Sequence, residues 1–188
     1  MTSSAPNQPS RLHRILLVLF IAVAVVGLDL WTKAWAGTRL HGSQPLVIVD
    51  NFFYFDLALN PGSAFGLFSN QPWARVVFIV ITFLALGYMG WLAYTLPTRF
   101  ASGFIALALI AGGAMGNLYD RIFRVFEGVR GVIDFIVIYY WPGKQWPTFN
   151  IADVALVVGV GLFLIYLHRH GEHEVTVPAA KASSVQAA

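Results

Sequence analysis

Two aspartates stand in apolar company: Asp134 in Gly131-Val132-Ile133-Asp134-Phe135, and Asp153 in Phe149-Asn150-Ile151-Ala152-Asp153. Apolar surroundings favour the neutral form of a carboxylic acid. If two such groups meet, repulsion between like charges leaves one protonated and one ionised near neutral pH. A pair of that kind can hydrolyse a peptide bond: the ionised member deprotonates water, and the protonated member hydrogen-bonds the scissile carbonyl. The protons then belong to the pair and to neither residue alone. A separation of 19 positions permits this meeting without requiring it. Structural carboxylates and a proton relay remain open on spacing alone.

Further polar residues occur at helical spacing. Asn150 and Asp153 are i,i+3, as are Asn117 and Asp120, while Asn117 with Arg121 and Asp29 with Lys33 are i,i+4. Such neighbours share a helix face, so Asp29 and Lys33 can simply pair with each other. Gly112, Gly113 and Gly116 include a small-xxx-small pattern, which lets helices approach closely. Other chemistries find less support. The chain has no cysteine, which removes disulfides, thiolate nucleophiles and cysteine-ligated metals. There is no HExxH, and His168, His170 and His173 are expected beyond the last span, in a solvated tail. A Gly-x-Ser-Gly serine-protease motif, a P-loop and a dinucleotide fingerprint are all missing. Tyr119-Asp120 matches half of a presenilin-type signature, but its Gly-x-Gly-Asp partner is absent.

These residues need elements to position them, and composition says which. Of the 188 residues, 57% are apolar and 11% charged, too little charge to cover a water-facing surface. A spanning helix needs about 20 predominantly apolar residues, and four segments qualify: about 15–35, 76–96, 100–119 and 150–168. They sit in one membrane domain, 11–170, between mobile tails at 1–10 and 171–188. Four alternating spans put both termini on one side and the long loops, about 36–72 and 120–148, on the other. Asp29, Lys33, Asn117, Asp120, Asn150 and Asp153 then reach the same membrane face, where carboxylates are functional candidates. Trp31, Trp35, Trp73, Trp141 and Trp146 cluster there too, as an interfacial belt would. Positions 46–59 are rich in β-branched and aromatic residues around an Asp50-Asn51 turn, and 131–140 are similar, so the loops can build a small sheet over the helix ends.

Orientation is harder to read. Five Lys/Arg fall on the terminal side and seven on the loop side, against a cytoplasmic amino terminus. Arg11 and Arg14, however, flank the first helix, which usually dominates. They also imitate the start of a cleavable leader ending at Ala34-Trp35-Ala36. Asp29 and Lys33 just before such a cut favour an uncleaved helix. Scattered cations give nucleic-acid binding little support. A small proton- or cation-coupled transporter subunit is the alternative, with the aspartates as a relay, although no internal repeat is visible.

Five pieces in order resemble one family, the lipoprotein signal peptidases, also called signal peptidase II. They are Asp29-Leu30-Trp31-Thr32-Lys33, Asn60-Pro61-Gly62-Ser63-Ala64-Phe65-Gly66, Gly112 through Arg121, Val132-Ile133-Asp134-Phe135, and Phe149-Asn150-Ile151-Ala152-Asp153. The resemblance implies a four-helix, all-α membrane protein with a small extracytoplasmic β-rich cradle formed by the two loops. It makes Asp134 and Asp153 the catalytic dyad of an aspartic endopeptidase. Asn60, Gly62, Asn117, Arg121 and Asn150 would line or support the substrate site, and Asp29, Lys33 and Asp120 would support it structurally. Ser63, Met115 and Tyr119 depart from residues common in the family, and none touches the dyad. The implied reaction is cleavage just before a diacylglyceryl-modified cysteine, with no metal or cofactor. Lipidated prolipoproteins and membrane lipids are the implied partners. The enzyme would act as a monomer in the bacterial inner membrane, with cytoplasmic termini and an extracytoplasmic site.

Overall fold

The computed structural model describes residues 9–61 and 73–170; the proposed tails, Gly62 and Ser63 lie outside these, apart from Pro9 and Ser10. Ser10 is no tail residue: its Oγ accepts the His13 amide at 3.4 Å and caps α1 (Arg11–Arg39). With 29 residues α1 is about 44 Å long. That exceeds a hydrocarbon core of roughly 30 Å and carries its end into the loop region.

The next span, α2 (Ala74–Thr95), stops before Pro97, which cannot continue a helix. Its last carbonyls are met from α1. The Arg11 Nη1 donates to Ala93 O and Leu96 O, both at 3.2 Å, and Arg14 Nε donates to Thr98 O at 2.8 Å. After a short turn comes α3 (Ala101–Phe123), and the last span is α4 (Ile151–His170). All four helices are long and apolar enough to cross a membrane. The structure corrects one expectation here: His168 and His170 are the last turn of α4. The half-buried His170 ring lies 3.7 Å from that of Phe100, and its Nδ1 is bonded to Tyr166 O.

Helix α3 is the hub, packed against each of the other three spans, while α2 rests mainly on α3. Its glycines serve two neighbours rather than one. A Cβ at Gly112 would sit 2.8 Å from Val25 of α1, and Gly113 packs on Ala152 and Leu156 of α4. At Gly116 a Cβ would lie 2.5 Å from Asp29 Oδ2 and 3.4 Å from Ala152. Removing those methyl groups lets α1, α3 and α4 meet at one level.

An ion cluster occupies that level. Lys33 Nζ lies 2.8 Å from Asp29 Oδ2, 3.0 Å from Asp120 Oδ2 and 2.9 Å from Asn117 Oδ1, and the three charged side chains are fully buried. Lys33 is therefore more than the local partner of Asp29, because it also joins α1 to α3. Asp120 further accepts Arg124 Nε at 2.5 Å and the Ile133 amide at 3.4 Å. Asp29 Oδ1 accepts the Ala152 amide at 3.0 Å, so a carboxylate of α1 satisfies the N-terminus of α4.

The loops form the expected sheet. Strands β1 (Leu46–Val49) and β2 (Phe53–Asn60) make a hairpin whose turn holds Asn51 at φ 56°, a conformation Asn tolerates. Later come a short ribbon, β3 (Val125–Phe126) and β4 (Val129–Arg130), then β5 (Val132–Trp141) and β6 (Lys144–Gln145). The main sheet has the antiparallel order β1-β2-β5-β6. Phe53, Phe55, Leu57 and Leu59 alternate along β2 and pack with Phe135 against the end of α1. Trp35 joins this core, edge-on to Phe55 at 5.5 Å. It thus leaves the aromatic belt, whereas Trp31, Trp73, Trp141 and Trp146 stay exposed.

Two predictions follow from the packing. Gly116→Ala lowers thermal stability in detergent by about 1–3 kcal/mol through overpacking, whereas Gly161→Ala, whose Cβ meets nothing within 4 Å, does not. Equal melting of the two variants would refute the close-approach argument. Lys33→Met leaves Asp29 buried without its cation and Asp120 with Arg124 alone, and costs about 3–5 kcal/mol. A melting temperature unchanged from the parent would show that the cluster does not hold the spans together.

Candidate active site

Backbone pairing brings the two aspartates together. Phe149 forms an antiparallel bridge with Ile136: its amide donates to Ile136 O at 3.1 Å, and its carbonyl accepts the Ile136 amide at 2.8 Å. This stitches the residue before Asn150 to the middle of β5. Asn150 thereby comes beside Asp134, and its Nδ2 donates to Asp134 Oδ1 at 2.6 Å.

Asn150 is not on a face of α4, as its spacing from Asp153 implied, but caps that helix. Its Oδ1 accepts the Asp153 amide at 3.0 Å, and Asp153 Oδ2 accepts the Asn150 amide at 3.1 Å. This reciprocal arrangement is a capping box, built here with Asp at the third helical position. It fixes the Asp153 carboxylate at the mouth of α4, where the helix dipole favours negative charge. The other oxygen, Oδ1, accepts Asn117 Nδ2 at 2.8 Å. Both Asp153 oxygens thus accept N–H donors.

Asp134 is held differently. It lies opposite Ala58 in the β2–β5 register, with Asn60 opposite Val132, so Asn60 is its diagonal neighbour. Asn60 ends strand β2 rather than lying in a loop, and its Nδ2 reaches Asp134 Oδ2 at 3.2 Å. Burial pushes the Asp134 carboxyl up to about 7, and the nearby Asp153 charge adds to the effect. Hydrogen bonds from Asn150 and Asn60 and the charge of Lys33 oppose the rise.

Asn117 links this pair to the ion cluster, since its Oδ1 accepts both Lys33 Nζ and, at 3.1 Å, Asn150 Nδ2. Arg121 lies over the Phe78 ring of α2 at 5.3 Å, within electrostatic range of Asp153, Asp134 and Asp120. Its buried Nε has no hydrogen-bond partner among the described residues. A purely structural reading, with every carboxylate paired to Lys33 or Arg121, therefore fits only Asp29 and Asp120 among the described residues. If Asp134 and Asp153 share one proton, the cations Lys33, Arg121 and Arg124 face an equal number of anions.

Asp153 opens onto an apolar groove along α4, about 310 Å³, lined by Trp146, Phe149, Val154, Val157 and Val158. A second hollow of about 390 Å³ shares Trp146 and Phe149 and runs under Ile138 and Tyr140 of β5. A larger concavity, about 640 Å³, lies beside Tyr54, Tyr139 and Trp141 and touches neither dyad residue. Sequence reasoning missed Arg124, although its i,i+4 spacing from Asp120 was available. It also missed Phe149 as the stitch and the hydrophobic residues of the groove, which no local pattern marks.

Comparison with known proteins identifies the family. A family model described as signal peptidase (SPase) II matches residues 21–169. A lipoprotein signal peptidase of Clostridium novyi is 39% identical over 157 residues, covering 82% of this chain and 99% of that one. One from Syntrophotalea carbinolica is 35% identical, with 86% and 96% covered. Among solved structures, one described as a bacterial membrane enzyme, determined by the in meso method at 2.3 Å resolution, superposes with a TM-score of 0.71. It is 28% identical, with 87% of this chain and 94% of that chain covered. The chain belongs to the signal peptidase II family and is a lipoprotein signal peptidase, a peptidase that removes signal peptides from prolipoproteins.

Proposed function

We propose that hydrolysis is carried out by Asp134 and Asp153, at the bond before a diacylglyceryl-modified cysteine. The observation that carries this reading is the bridge between them: Asn150 binds both carboxyl groups, and Asp153 faces an apolar groove. Asp153, at the mouth of α4 where the helix dipole favours its charge, acts as the base that takes a proton from water. Asp134, whose carboxyl burial raises to about 7, holds its proton below that pH, hydrogen-bonds the scissile carbonyl and then protonates the leaving amine. Arg121, with an unfilled Nε, offers a donor to a substrate backbone carbonyl. The groove along α4 and the hollow under β5 suit an apolar signal helix and the acyl chains beside it. Asn60, Asn117 and Asn150 orient the carboxyl groups, while Asp29, Lys33 and Asp120 support them; Gly62 lies outside the described residues.

We further read the termini as cytoplasmic and the dyad as extracytoplasmic. The loop-side excess of Lys/Arg supports the opposite only if all are counted alike. Lys33 is buried, Arg121 is half-buried beside the aspartates, and Arg124 is paired with Asp120, so they are no guide to translocation. The terminal end bears Arg11, Arg14, Arg99 and Arg169 with no carboxylate among the described residues.

Asp134→Asn and Asp153→Asn keep the shape of the site, and Asn retains an oxygen to accept the capping bond. Each is expected to lose at least about 10²-fold in cleavage of a lipidated prolipoprotein by purified protein while melting normally. Near-normal turnover by either folded variant would overturn the dyad. In the wild type, Asp134 surrenders its proton as pH rises through about 7, so kcat/KM falls on the alkaline side of that value. A rate that holds level from pH 6 to 9 would mean that Asp134 is not the acid.

A further inference from the structure

At the end of the bundle opposite the carboxylates, α2, α4 and the α2–α3 turn enclose a cavity of about 310 Å³. Its walls include Trp91 of α2, Arg99 and Phe100 of the turn, and Phe163, Leu167 and His170 of α4. Trp91 and Leu167 are largely exposed on the lipid-facing side, so the cavity opens toward the bilayer. The end carries Arg11, Arg14, Arg99 and Arg169 together with His13, His168 and His170, and no carboxylate among the described residues. Arg11 and Arg14 are spent on backbone carbonyls. Arg99 is not: its guanidinium lies 4.4 Å over the Phe100 ring and makes no ion pair among the described residues. His170 uses Nδ1 on Tyr166 O, which leaves Nε2 outside that bond.

We propose that this cavity is a binding site for an anionic glycerophospholipid, with the head-group phosphate at Arg99 and His170 and an acyl chain along Trp91, Phe163 and Leu167. The pairing of a cationic rim with an apolar wall that opens sideways selects this occupant. A free inorganic anion would leave the aromatic wall uncovered. A zwitterionic head group would bring its own ammonium against a rim with no carboxylate among the described residues to receive it. Basic hollows between spanning helices recognise anionic head groups in this way. The site shares no residue with the dyad, so its occupancy is separable from hydrolysis.

The test is native mass spectrometry of the purified full chain with phosphatidylglycerol, or with phosphatidylcholine of the same acyl chains. Wild type should retain phosphatidylglycerol preferentially, by roughly fivefold for the Arg99 cation. The double variant Arg99→Gln/His170→Gln should lose that preference and still cleave prolipoprotein in neutral detergent. Leu167→Trp, which fills the wall, should lower retention while leaving Arg99 and His170 in place. If the double variant does not fold, Arg99→Gln alone reads the same loss, because among the described residues its guanidinium lies against the Phe100 ring and holds no ion pair. Equal retention of the two lipids by wild type, or a preference that survives in the variants, overturns the proposal. Complete displacement of phosphatidylglycerol by millimolar inorganic phosphate also overturns it, since the site would then hold a free anion rather than a lipid.

Discussion

A single ammonium group, buried at membrane depth, organises this protein. Removing a charge from water costs several kcal/mol even after relaxation, so Lys33 persists only because Asp29, Asp120 and Asn117 surround it. Each of those partners has a second commitment. Asp29 holds the first turn of α4, Asp120 holds the start of β5, and Asn117 holds Asp153. Satisfying one cation therefore fixes three helices and one strand relative to each other. The glycines of α3 make this possible by letting the backbones approach until a carboxylate of α1 lies where a Cβ at Gly116 would be.

Precision at the dyad is inherited from backbone structure rather than from the side chains themselves. Asp153 is positioned by a helix cap and Asp134 by strand register, and Phe149 joins the two. Cap and strand are rigid elements, which suits the proton sharing proposed for the pair. The difference between the carboxyl groups has the same origin. One stands at a helix mouth, and the other lies within a sheet among buried apolar residues.

Much of this was legible in the sequence, and the limits are physical. Spans declare themselves because lipid demands about 20 apolar residues in a row, and the strand-forming loops because β-branched and aromatic residues crowd positions 46–59 and 131–140. The residues that gather at the site were named beforehand, largely through the family resemblance. Their linkage could not be, because it joins positions far apart in the chain, such as Lys33 with Asn117 and Asp29 with Ala152. Asn150 was misread for a subtler reason: an i,i+3 pair looks the same on a helix face as in a capping box, and only the boundary of α4 distinguishes them. The ribbon of β3 and β4 and the helical setting of His170 likewise depend on where elements end.

The double duty of the capping box constrains how this protein can change over evolutionary time. Asp153 and Asn150 close the mouth of α4, so a lineage that no longer needed hydrolysis would still be penalised for losing them. Lys33, Asp29, Asp120 and Asn117 are bound in the same way by the buried cluster. Asp134 differs, because its side chain meets the amides of Asn60 and Asn150, and among the described residues no helix end or ion pair relies on it. In a relative that has become inactive, Asp134 is the position free to drift first. Its identity is thus a better marker of a working enzyme than the rest of the polar constellation taken together.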